Sequence, residues 1–173
     1  MNIVIGVDPG LTGAMAFINA ATGTATIEDI PTIAIEGKGL VSRRVDGHAL
    51  VQLVRRNCPP GSAVLVGCEA VATMGGQNNA VQTQGSLMRS LGAIEAIFDA
   101  LRWPCVMVRP QAWQAMYGLA GKKVEKRAKG EMPAAIVKAC TLYPSAAAQL
   151  SRVKDHNRAE ALLIAHYARS TLT

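Results

Sequence analysis

Four carboxylates stand where acidic side chains do chemistry as well as where they merely make turns and caps. Asp8 ends the apolar run Ile3-Val4-Ile5-Gly6-Val7 and opens Asp8-Pro9-Gly10-Leu11-Thr12-Gly13. Glu69 ends a second apolar run, Ala63-Val64-Leu65-Val66-Gly67-Cys68. A short apolar run stopped by turn residues reads as a strand buried on both faces. Each of these acids is therefore held rigidly at the tip of a core strand, a useful place for a ligand or a catalytic acid. Asp155 and Glu160 flank the start of a last helix in Lys154-Asp155-His156-Asn157-Arg158-Ala159-Glu160-Ala161-Leu162. That helix is strongly apolar from Ala159 on, so Glu160 lies at the boundary of its buried face, where an unpaired acid is costly. Taken singly, each acid has an ordinary reading. Asp before Pro-Gly makes an Asx-turn, Asp155 is an N-cap, and Glu160 is favoured by the helix dipole. Two strand tips and one helix start together predict a cluster.

Three or four carboxylates meeting at one sheet edge repel one another, and divalent cations resolve that repulsion. Mg²⁺ takes hard oxygen ligands and keeps several waters. Two such ions ~3.5–4 Å apart activate a water and stabilise the leaving oxygen of a phosphodiester. The charge balance points the same way. Eighteen Lys and Arg against twelve Asp and Glu give a formal net charge of +6, which favours a polyanionic partner.

The elements that must position these acids follow from periodicity. Apolar runs predict strands over residues 3–7, 14–18 and 24–30, joined by short turns into an antiparallel meander. Residues 31–45 read as a loop containing Arg43 and Arg44. Asp46 is the expected N-cap of a helix over 47–57, ended by Pro59-Pro60-Gly61. The strand over 63–68 follows that helix and is expected to run parallel to the first. A polar, glycine-rich loop, Met74 to Asn79, precedes a long helix over 80–101 carrying Arg89. A fifth strand spans 104–108 and ends at Arg109-Pro110. Helices over 111–118, 131–142 and 156–170 complete the order. The fold class is α/β: a five-stranded mixed sheet, three strands antiparallel and two parallel, flanked by helices. The 173 residues are expected to form one domain, 1–173.

Half of the residues are hydrophobic and only 4% aromatic, so the core is built from Ala, Val, Leu, Ile and Met. Cys58, Cys68, Cys105 and Cys140 lack metal-motif spacing, and His48, His156 and His166 are scattered. Reduced core thiols in a cytoplasmic protein are expected, with no zinc site. Met1-Asn2 runs straight into the first strand, so no signal peptide is expected. No apolar stretch approaches the ~20 residues of a membrane span.

Asp8-Pro9-Gly10 with Gly13, Glu69 after an apolar strand, and Arg158-Ala159-Glu160-Ala161-Leu162 on the final helix resemble the RuvC family of Holliday-junction resolvases, in its phage-encoded branch. The resemblance covers nearly the whole chain and implies the RNase H-like fold. It implies a Mg²⁺- or Mn²⁺-dependent endonuclease, two ions per site, acting as a homodimer that nicks paired strands of a four-way DNA junction. Asp8, Glu69 and Glu160 match the family's metal ligands. The fourth ligand falls among Asp155, His156 and Asn157, which lie five, four and three residues before Glu160; Asp155 is preferred for a hard cation, with His156 as its close rival. His156 shares a helical face with Glu160, whereas Asp155 joins the site only by preceding the helix and bending back. His156 could also donate a proton or position water.

From Arg109 to Lys138 there are seven basic residues (Arg109, Lys122, Lys123, Lys126, Arg127, Lys129, Lys138) and two acids, Glu125 and Glu131. Beside a phosphodiester-cutting site these read as phosphate contacts, with Arg43, Arg44 and Arg89 extending the footprint. Lys129 falls near a family lysine proposed to assist catalysis. Two positions depart from the family. Ala72 stands where an aromatic often follows the catalytic glutamate, leaving Met74 and the Gly75–Asn79 loop to distort the junction. A second family lysine is replaced by residues around Trp113. The 80–101 helix suits a dimer interface or a simple core position. Competing readings are a nuclease for other branched DNA or RNA–DNA hybrids, a non-catalytic junction-binding module, and a sugar-kinase-like ATP-binding domain. The last requires a second, duplicated domain.

Overall fold

A computed structural model of the chain describes residues 2–36, 41–71, 81–120 and 131–172. The first strand, β1 (Asn2–Asp8), is buried along its length after Asn2, as an apolar run with both faces covered must be. β2 (Ala14–Asn19) and β3 (Ala25–Asp29) continue it as an antiparallel meander. Two short strands, β4 (Thr32–Ala34) and β5 (Arg43–Val45), pair with each other as a separate ribbon. Helix α1 (Gly47–Asn57) starts at Asp46, whose side chain accepts a hydrogen bond from the Ala49 N–H. Then come β6 (Ala63–Glu69), α2 (Val81–Ala100), β7 (Cys105–Val108) and α3 (Pro110–Met116). Helix α4 (Ala134–Leu142), two 3-10 segments (Pro144–Leu150 and Val153–Asp155) and α5 (His156–Thr171) follow.

The main sheet has the order β3-β2-β1-β6-β7. β6 runs parallel to β1 and β7 parallel to β6, so the sheet is five-stranded and mixed, as the periodicity predicts. The β4–β5 ribbon is a correction: residues 31–45 read as a loop. Three-residue strands carrying Arg43 and Arg44 offer no alternation long enough to register as a strand. Helix boundaries also shift. Pro133 is extended (φ −53°, ψ 140°), so α4 begins at Ala134 instead of residue 131. Of the four free cysteines, Cys58 and Cys68 are core residues, while Cys105 and Cys140 are only partly buried. Among the described residues no helix is long and apolar enough to cross a membrane.

Strand alternation divides the core into two layers. Ile3, Ile5 and Val7 share one layer with Leu50, Leu53, Ile94 and Phe98 of α1 and α2. On the other face, Ala14, Ala16 and Ile18 pack with Ile136, Ala161, Leu162 and Ala165 of α4 and α5. Two glycines let α5 approach the sheet. Gly6 of β1 and Gly67 of β6 are register partners. A Cβ on Gly6 would collide with the Ala161 carbonyl and lie 2.8 Å from the Ala165 Cα; one on Gly67 would lie 2.9 Å from the Ala168 Cβ. Helix α5 therefore rests on bare backbone at the centre of the sheet.

Candidate active site

Alternation along β1 and β6 carries the face that meets α5 from Gly6 to Asp8 and from Gly67 to Glu69, two residues further on in each strand. Val7 pairs with Cys68 in the parallel register, and Asp8 and Glu69 each follow by one residue. Two acids thus end neighbouring strands on the face that α5 covers. Ala161 sits over Gly6, so Glu160, the residue before it, lies at the same edge. The chain must turn away sharply behind Asp8. Gly10, at φ +143°, and Gly13, whose N–H bonds the Gly10 carbonyl at 3.2 Å, make that turn. A Cβ on Gly13 would strike the Asp8 carbonyl.

The electrostatics bind these three acids into one group. Asp8 is only 9% exposed. Burial first, then the charges of Glu160 and Glu69, push its carboxyl up to about 8. Burial and then Glu69 push Glu160 up to about 7. Burial also raises Glu69, against the opposing effect of a hydrogen bond from Trp113. The Trp113 indole, 1% exposed, donates from Nε1 to Glu69 Oε1 at 2.9 Å. Among the described residues no Lys or Arg forms an ion pair with any of the three; the pairs present are Arg56–Glu28, Arg152–Asp155 and Arg158–Asp29. Buried like charges without a counter-ion are costly, and an all-oxygen donor set is the chemistry that suits Mg²⁺ or Mn²⁺. As the side chains stand, no three acidic, histidine or cysteine groups among the described residues are close enough to hold one metal ion. Glu69 is committed through Oε1 to the indole, leaving Oε2 as its free oxygen.

Asp155 lies elsewhere. It precedes α5, as joining the cluster would require, but its carboxylate turns back onto Arg152. The Arg152 backbone N–H donates to Oδ2 at 2.8 Å, and Nη2 and Nε donate to Oδ1 at 2.7 and 3.0 Å. These bonds hold its carboxyl below the usual range. Its electrostatic neighbours are Arg152, Arg158 and Asp29, and it contributes nothing to the raised carboxyls of Asp8, Glu69 and Glu160. The 3-10 turn explains the difference: the Asp155 carboxylate accepts from the Arg152 backbone N–H at the start of its own turn, and the Asp155 N–H in return donates to the Arg152 carbonyl. His156 instead opens α5 as an exposed residue, one helical turn before Glu160.

Two further contacts fix the start of α5 against the sheet. Asn157 Nδ2 donates to the Thr12 carbonyl at 2.7 Å, tying the helix to the turn behind Asp8. Arg158 grips Asp29 at the end of β3 with two bonds of 2.6 and 2.7 Å. Neither role was legible in the sequence, where Arg158 only belonged to a motif and Asn157 was one of three neighbours of a ligand position. Trp113 was legible in part: a buried indole N–H needs a partner, though nothing in the spacing named Glu69.

Of the basic residues, Arg109 follows Val108, the register partner of Glu69, and is exposed at the same sheet edge. Arg43, Arg44 and Arg89 are exposed on the β4–β5 ribbon and α2. Lys122, Lys123, Lys126, Arg127 and Lys129 lie outside the described residues, as do Ala72, Met74 and the Gly75–Asn79 loop.

No protein-family model and no curated protein matches the chain. Among solved structures it is similar to Thermus thermophilus RuvC, with 19% identity over 97% of this chain and 96% of that one and a TM-score of 0.49. It is also similar to T. thermophilus RuvC in complex with Holliday junction substrate, with 18% identity over 97% of this chain and 95% of that one and a TM-score of 0.53. The second likeness shows that the chain has the fold of RuvC.

Proposed function

We propose that this chain, which has the fold of RuvC, is a metal-dependent endonuclease that cuts branched DNA, with the four-way junction as its substrate. The observation that carries the reading is the group of three mutually coupled carboxylates, Asp8 buried and Glu69 and Glu160 partly buried, at the carboxyl edge of β1 and β6, beneath the start of α5. Sites that shift several titratable groups together in this way are characteristically functional. A solved RuvC was captured with a Holliday junction substrate, and the fold shared with it supports the same class of substrate here. The basic balance of the chain suits a phosphodiester partner.

In this reading Asp8, Glu69 and Glu160 hold the divalent cations, two per site. The cations, when bound, supply a nucleophilic water and stabilise the leaving oxygen. Asp8 is the central ligand, being the most buried of the three and held at the tip of the central strand β1. Glu69 offers Oε2 while Trp113 keeps Oε1. His156, exposed at the first position of α5, serves as the fourth ligand or as the group that positions water or donates a proton; Asp155, engaged by Arg152, does not. Arg109 and the basic 122–129 stretch contact phosphates, with Lys129 assisting at the reacting phosphate. A cytoplasmic homodimer placing two such sites on one junction completes the reading. The outer side of α2 suits the interface: Val81 is 84% and Met88 42% exposed, and open space lies over Gly92.

The test is cleavage of a mobile four-way junction, a Y-fork and a plain duplex, with and without Mg²⁺, by the wild-type chain and Asp8→Asn. Paired, Mg²⁺-dependent nicks in the junction, abolished in the variant while junction binding persists, are expected. Equal cutting of all three substrates would reject junction selectivity. Undiminished cutting by Asp8→Asn would reject the site.

A further inference from the structure

A groove on the far layer of the molecule has a composition that the carboxylate site does not account for. It lies between the β4–β5 ribbon and α2, with a volume of about 390 Å³, and Arg43, Arg44 and Arg89 line it. Gln82, Ser86, Arg89 and Ala93 come to it from one face of α2, at the i, i+4, i+7, i+11 spacing of a single helical stripe. Val45, 5% exposed, and Ala93 give it an apolar floor. Among the described residues no acidic one lines it.

The three guanidinium groups have no internal purpose among the described residues. The Arg43 and Arg44 contacts are weak ones to uncharged oxygens, Arg43 Nη1 to Thr32 Oγ1 at 3.5 Å and Arg44 Nη1 to the Val45 carbonyl at 3.3 Å. None of the three forms an ion pair with a described carboxylate. Elsewhere on the surface Arg56, Arg152 and Arg158 all have acidic partners. Three like charges gathered in a concave, partly apolar cleft concentrate positive potential, which an anion relieves. Guanidinium is the cation whose fork matches phosphate oxygens.

Position identifies the anion. Leu87 of α2 lies beside the turn behind Asp8, its Cδ1 3.6 Å from where a Cβ on Gly10 would stand. Leu87 itself does not line the groove, but Ser86 and Arg89, which do, belong to the same turn of α2, so the groove lies across that helix from the turn behind Asp8, on the α2 side of the sheet, opposite α5. We propose that it binds the phosphodiester backbone of a second nucleic-acid segment, the one that leads away from the phosphate being cut. This rests on the nuclease reading and adds a binding track to it. A substrate with a branch supplies such a segment beside the cut strand.

The experiment is equilibrium binding of a fluorescently labelled four-way junction in EDTA, at several salt concentrations, to wild type, Arg44→Gln, Arg89→Gln and the double variant. Arg56→Gln, the same charge change outside the groove, is the control. An arginine that neutralises one phosphate adds about 0.9 to the steepness of log K against log salt. Arg44→Gln and Arg89→Gln should each make the dependence shallower by that amount, the double variant by about twice as much, and Arg56→Gln should not. Unchanged slopes in both groove variants, or an equal fall in Arg56→Gln, would overturn the proposal. Displacement of the junction by a nucleoside triphosphate at low millimolar concentration, abolished in Arg89→Gln, would assign the groove to a free nucleotide and equally overturn it. A wild-type chain that binds no DNA would instead refute the nuclease reading itself. All three arginines are exposed, so matching thermal melts should confirm that each variant folds.

Discussion

Asp8→Asn should make the protein more stable while destroying its activity, and the size of the gain should depend on pH. Asp8 is raised from 3.8 to about 8 by burial and by two neighbouring acids. A carboxyl raised in the folded state contributes stability that is fully present below its unfolded value and lost as pH rises through the folded one. Without a divalent cation, the wild-type chain should therefore lose stability between about pH 4 and pH 8. The rise in Asp8 corresponds to on the order of 5 kcal/mol, comparable with the whole net stability of a small domain. Asparagine keeps the shape and removes the charge, at a cost of about 1–3 kcal/mol for burying an amide without a full set of partners. At pH 9 in EDTA the variant should be more stable by a few kcal/mol, a rise in Tm of about 5 °C or more for a chain of this length. At pH 5, where the wild-type carboxyl is protonated, the difference should vanish or reverse slightly. Excess Mg²⁺ at pH 9 should stabilise the wild type more than the variant and close the gap. Thermal melts at pH 5, 7 and 9, with EDTA and with Mg²⁺, measure all of this. A Tm difference that does not change between pH 5 and 9 would refute the coupled-carboxylate account, whatever the variant does to activity.

Other perturbations separate the parts of the site. Trp113→Phe removes the donor to Glu69, a bond to a charged group worth about 1.5–3 kcal/mol; cleavage should fall roughly 10- to 100-fold, and the acid limb of the pH–rate profile should move upward as Glu69 becomes harder to ionise. Asp155→Asn should retain cleavage and His156→Ala should lose most of it, as measured in matched Mg²⁺ assays on one junction substrate. Asp155 is held below its usual range, so its contribution to stability is present above its unfolded value and lost as pH falls through the depressed one. The melting difference between Asp155→Asn and wild type should therefore disappear in strong acid. Gly6→Ala drives a methyl into the Ala161 carbonyl, where backbone cannot yield cheaply; a loss of at least about 3 kcal/mol in urea denaturation is expected.

The acids at the strand tips were legible because an apolar run that stops at a charge leaves that charge at a core edge, and Asp8 and Glu69 both follow this pattern. Glu160 was legible because a helix that turns apolar at Ala159 must bury the face beside it. The succession of the five strands along the chain followed from run lengths and turn residues. Asp155 resisted, because sequence shows that a residue precedes a helix but not whether its side chain reaches outward or closes its own turn, and Arg152 decided that. The β4–β5 ribbon resisted because its pairing, Ile33 with Arg44 and Ala34 with Arg43, joins short segments whose own patterns carry no signal. The Gly6–Gly67 pair reads in sequence only as two weak points in good strands; its meaning depends on a helix that lies far along the chain from both.

Because α5 touches the sheet through main chain at Gly6, the height of Glu160 above Asp8 is set by atoms that every residue type shares. Exchanging Leu162, Ile136 or Ile18 for other apolar side chains should alter how firmly the layer holds together, yet leave the spacing between the acids almost untouched. Such an arrangement separates stability from the geometry of the candidate site: the core can drift far in sequence while the three acids keep their mutual distances.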